Sequence, residues 1–69
     1  MKLIDFLSIA YNDVAVENSR LETELYIKYN IDPAKYLNAD ILNREIKAIK
    51  AEERVFRVRL EDSEEKNND

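Results

Sequence analysis

The sequence predicts a small single α+β domain in the order α-β-β-α-β-β, with two antiparallel hairpins packed on two short helices. Three patterns carry that reading. Apolar and polar residues alternate over 21–29 and again over 55–60, the period of a strand with one buried face. Leu3, Phe6, Leu7 and Ala10 recur at helical spacing. Asp32-Pro33 opens a second helix, an acidic cap followed by proline at the first helical position.

Taken in order, residues 2–11 form the first helix, widened by Ile4 and Ile9 and stopped by the turn-favouring Asn12-Asp13. Residues 14–18 pair with 21–29 as the first hairpin. Leu21, Thr23, Leu25, Ile27 and Tyr29 share one face, and Glu22, Glu24, Tyr26 and Lys28 share the other. Ser19-Arg20-Leu21-Glu22 also fits a helix-opening capping box, but a helix there would scatter the odd-numbered apolar residues around its circumference. The second helix runs from Pro33 to about residue 43, with Tyr36, Leu37, Ile41 and Leu42 on its apolar side. Segments 45–51 and 55–60 form the second hairpin through Glu52-Glu53-Arg54, a turn without Gly or Asn. The competing architecture is mostly helical. Leu42, Ile46, Ile49, Phe56 and Leu60 sit on heptad-like spacing, and no helix breaker lies between 34 and 60. Residues 1–60 make the domain. The segment 61–69 has no apolar residue and is expected to be a disordered acidic tail.

Composition narrows the chemistry. The chain has no Cys, His or Gly, so disulfides, thiolate nucleophiles, imidazole bases, the usual zinc ligands and glycine-rich phosphate loops are all missing. The net charge of −4 belongs to residues 61–69; residues 1–60 are neutral, with 1–43 acidic and 44–60 basic. No apolar run approaches a membrane span, and no signal-peptide core is present. A soluble, cytoplasmic protein is expected. A chain this small buries little more apolar surface than its ordering entropy demands, so a homodimer is expected too.

The opening Met1-Lys2-Leu3-Ile4-Asp5-Phe6-Leu7, the short strand Asp13-Val14-Ala15-Val16, and Leu42-Asn43-Arg44-Glu45-Ile46 followed by Ile49, an acidic turn and Val55 to Leu60 resemble a group of small phage- and prophage-encoded proteins of Gram-positive bacteria. The resemblance covers about residues 1–60. It implies a mobile-element origin and a non-catalytic role; with the missing catalytic residue types and the marginal core, the expectation is an accessory protein that binds a host or phage protein, as an inhibitor of a host or defence protein.

The residues that could carry function divide into three sets. Glu22/Glu24 and Glu52/Glu53 are paired carboxylates, but they fall on a solvent face and a turn tip, where nothing separates their pKa values. No catalytic residue, cofactor or metal is assigned, and the chain is expected not to be an enzyme. Lys47, Lys50, Arg54, Arg57 and Arg59, with Arg44 just ahead, make a basic patch on the second hairpin that could track phosphates. The plainer expectation is charge pairing with Asp13, Glu17, Glu22 and Glu24 across the sheet. The reverse possibility is a nucleic-acid mimic built on the acidic tail. Tyr26, Tyr29 and Tyr36 are the candidate protein interface, because tyrosine offers contact area at low entropic cost.

Overall fold

The computed structural model describes residues 1–61, so the expected acidic tail lies outside the described residues apart from Glu61. The elements are α1 (Leu3–Ile9), β1 (Asp13–Glu17), β2 (Thr23–Ile27), α2 (Pro33–Tyr36), α3 (Ala39–Leu42), β3 (Ile46–Ala51) and β4 (Val55–Leu60). The α+β class and both antiparallel hairpins hold. The hairpins join through their inner strands, β1 parallel to β4, giving one four-stranded mixed sheet in the order β2-β1-β4-β3.

One face of this sheet carries the core. Val14, Val16, Ile27, Phe56 and Val58 pack with Leu3 and Phe6 of α1, and Leu25, Leu37, Ile41, Ile46 and Leu60 fill its margin. Phe56 is the aromatic hub, meeting the ring of Phe6 edge-on at 5.4 Å and that of Tyr11 at 5.1 Å.

Three elements differ from expectation, each for a local reason. The helix expected over 2–11 stops at Ile9 because Ala10 is already extended. The strand expected over 21–29 contracts to Thr23–Ile27. At its start Leu21 closes a three-residue loop, donating its N–H to the Asn18 carbonyl at 3.0 Å, while the Asn18 N–H reaches Glu22 O at 2.9 Å. That loop needs a left-handed residue in third place, and Leu21 supplies it at φ 65°. At the strand's far end Asn30 turns the chain at φ 76°.

The helix expected from Pro33 to about residue 43 is two one-turn helices, because Leu37 and Asn38 are both extended. Asn38 is what divides it: its Oδ1 accepts the Ile41 N–H at 3.0 Å and opens α3, as Asp32 Oδ1 does for Ala34 at 3.2 Å in α2. Among the described residues there are therefore three helices rather than two.

The second hairpin falls almost where the alternation places it, and the long C-terminal helix is excluded, since 46–51 and 55–60 are both strands. Its turn closes with the Glu52 N–H on Val55 O at 2.9 Å. Neither Glu53 nor Arg54 has a positive φ, so this turn does not require Gly or Asn.

Outside the sheet, the N-terminal residues run along the start of β3: the Leu3 N–H meets Arg44 O at 3.0 Å and the Ile46 N–H meets Met1 O at 2.8 Å. No helix of the described residues is long and apolar enough to cross a membrane.

Candidate functional site

The candidate tyrosines do not form one cluster. Tyr26 and Tyr29 are brought together by Asp13, the first residue of β1. Its Oδ2 accepts the Tyr26 hydroxyl at 2.9 Å and its Oδ1 accepts the Tyr29 backbone N–H at 2.7 Å. Those two bonds, the backbone one foremost, hold the Asp13 carboxyl below its ordinary range. The same carboxylate pushes the Tyr26 phenol upward. Tyr36 sits apart on α2, 67% exposed.

Beside this clamp lies a groove of about 290 Å³ between the end of α1, the end of β2 and the start of α2. Leu7, Ala10, Val14 and Ile27 line it within, and Tyr29, Ile31 and Pro33 line it on the β2–α2 side. Tyr29 is 53% exposed and Ile31 38%. Ile31 and the clamping role of Asp13 escape sequence reasoning. Ile31 follows the strand pattern as a lone apolar residue in a turn, and Asp13 reads there as a helix stop and as an acid facing the basic hairpin, not as a clamp on two tyrosines.

The basic residues are also divided. Arg57 is committed within the sheet, donating from Nη1 to Glu17 at 3.0 Å and from Nε to Glu52 at 2.8 Å. Glu52 first and Glu17 second hold the guanidinium in its charged form, and Arg57 in turn depresses the Glu52 carboxyl. The charge pairing expected between the hairpins is thus made at Arg57–Glu17. Arg44 pairs with Asp40 at 3.1 Å, and Lys50 lies 3.8 Å from Glu52. Lys47 and Arg54 are exposed, and no ion pair is formed by either among the described residues. Arg59 is half-buried, and its Nε is buried with no acceptor.

Of the paired carboxylates, Glu22 accepts from Asn18 Nδ2 at 3.2 Å, Glu52 is bound to Arg57, and Glu24 and Glu53 are exposed. The carboxylates are therefore spread over both hairpins rather than converging. No protein-family model matches the chain, and no curated protein or solved structure is significantly similar to it.

Proposed function

We propose that this chain is a non-catalytic protein-binding module, a small accessory protein of the phage or prophage kind its sequence resembles, which acts on a host or defence protein. The observation that carries the reading is the groove between α1 and the β2–α2 turn. It sets the aliphatic Leu7, Ala10, Val14 and Ile27 beside the polar Ser8, Asn12, Lys28 and Asn30, is rimmed by the exposed Tyr29 and Ile31, and has room for a large side chain of a partner. The Asp13 bond to the Tyr29 amide fixes that rim before any partner arrives, which lowers the ordering cost of binding. Phosphate binding through the basic hairpin has less support, because Arg57 already spends its guanidinium on two carboxylates.

The test is capture from nuclease-treated host lysate on the immobilised full chain, with a Tyr29→Ala/Ile31→Ser variant beside it. A specific protein retained at raised salt and lost with the double variant supports the reading. Recovery of nucleic acid alone, without nuclease and abolished by Arg57→Ala with Arg59→Ala, replaces it. Sedimentation of the free chain tests the expected homodimer in the same samples.

A further inference from the structure

β3 is an outer strand whose free edge is only partly used. Met1 and Leu3 satisfy the backbone at Arg44 and Ile46, and beyond Ile46 no backbone bond from another described segment reaches that edge. An unpaired edge is a template for one more strand.

The two faces of β3 specify what that strand would carry. Ile49 stands opposite Val58 and Ala51 opposite Phe56, so both point to the helix-covered face. The helices do not extend over them: Ile49 is 47% exposed, while its neighbour Val58 is 1% exposed. An aliphatic side chain on an added strand would complete that face. On the opposite face Ala48 and Lys50 stand opposite Arg59 and Arg57. Lys50 is held only by a 3.8 Å contact with Glu52, and Arg59 has its buried Nε without an acceptor. Ala48 is small, and two strand spacings come to about 9.6 Å, within combined reach of a glutamate and an arginine side chain over its methyl group.

We propose that the outer edge of β3 takes an extended segment of a partner protein in which acidic and aliphatic residues alternate, bound as a fifth strand of the sheet. Charge complementarity selects a partner over a second β3. A second β3, Ile46–Ala51, brings two more lysines and no carboxylate, so it offers Lys50 and Arg59 no acceptor. The site lies on a different strand from the Tyr29–Ile31 groove, so it stands or falls separately from the proposed function.

The experiment titrates the full chain into a capped, fluorescently labelled peptide, Glu-Val-Glu-Ile-Glu-Val-Glu. Anisotropy reads the binding, and backbone amide shifts locate it. Controls are the same residues with the glutamates in one block, and the alternating peptide with lysine for glutamate. The expected result is saturable binding of the alternating acidic peptide alone, with shifts at Ile49, Lys50 and Ala51. Lys50→Glu should weaken it by up to about fivefold, as loss of one cross-strand charge pair implies, at unchanged circular dichroism. Equal binding of either control, indifference to the charge reversal, shifts confined to Thr23–Ile27, or no saturation would overturn the proposal. So would self-association of the chain alone that moves the Ile49–Ala51 amides, which would assign the edge to a second copy.

Discussion

In β1, Val14, Ala15 and Val16 are each at most 2% exposed, whereas β3 buries no residue at all, although it is longer and as rich in aliphatic side chains. The difference is position. β1 is flanked by β2 and β4, and its helix-facing valines lie under α1. Even Ala15, on the face away from the helices, is closed in between its partners Tyr26 and Arg57. Ala48 of β3 lies on that same face, has Arg59 on one side only, and stays exposed. Burial here is a property of place in the sheet before it is a property of the residue.

Matched substitutions in the two strands test that lesson. Val16→Ala should cost about 2–3 kcal/mol, the lost methyl groups plus the cavity they leave, and Ile49→Ala under about 1 kcal/mol. Urea denaturation of both variants measures the contrast, and equal losses would break it. Ala15→Val overfills a closed site and should cost about 1–2 kcal/mol, while Ala48→Val should fall within about 0.5 kcal/mol of neutral. Reversal of that order would place the closed side of the sheet at β3.

The hairpin tips differ in the same way. Leu21 holds a left-handed backbone that glycine adopts freely, so Leu21→Gly should stabilise by up to about 1 kcal/mol. Glu53→Gly has no such strain to relieve and should destabilise slightly. Thermal melts of the pair give the sign directly.

The smallest effect expected is electrostatic and belongs to the start of β1. Asp13 is depressed in the folded state, so its contribution is complete above the ordinary carboxyl pKa and is lost as pH falls through the folded value. Tyr26 is raised, so its contribution is complete below the ordinary phenol pKa and is lost as pH rises through the folded value. Asp13→Asn should flatten both limbs of the urea midpoint against pH, and a curve unchanged at both ends would show the clamp to be energetically idle.

The alternation in 21–29 and 55–60 was legible because a period of 2 is a property of the strand itself. The second hairpin falls almost where it predicts. Strand order was not legible: nothing in Asp13-Val14-Ala15-Val16-Glu17 states that β4 will lie beside it in parallel. The break at Asn38 was hidden inside a helical pattern, since an asparagine shows its capping role only once the chain around it is extended. Of the candidate site, exposed Tyr26, Tyr29 and Tyr36 could be named from sequence, but the groove joins segments remote in the chain, and Ile31 gains meaning only beside Leu7.

The parallel join between β1 and β4 also sets the order of events in folding. Asp13 to Glu17 lie against Val55 to Arg59, contacts that span most of the described chain. Closing so long a loop adds little to the equilibrium cost, because that cost grows only logarithmically, but it slows the search. Each hairpin can form early from local contacts, yet each alone leaves its inner strand bare on one side. A chain emerging from the ribosome therefore cannot complete its core until Leu60 is free, and two fragments cut near Asn38 should each be unstructured apart and assemble when mixed.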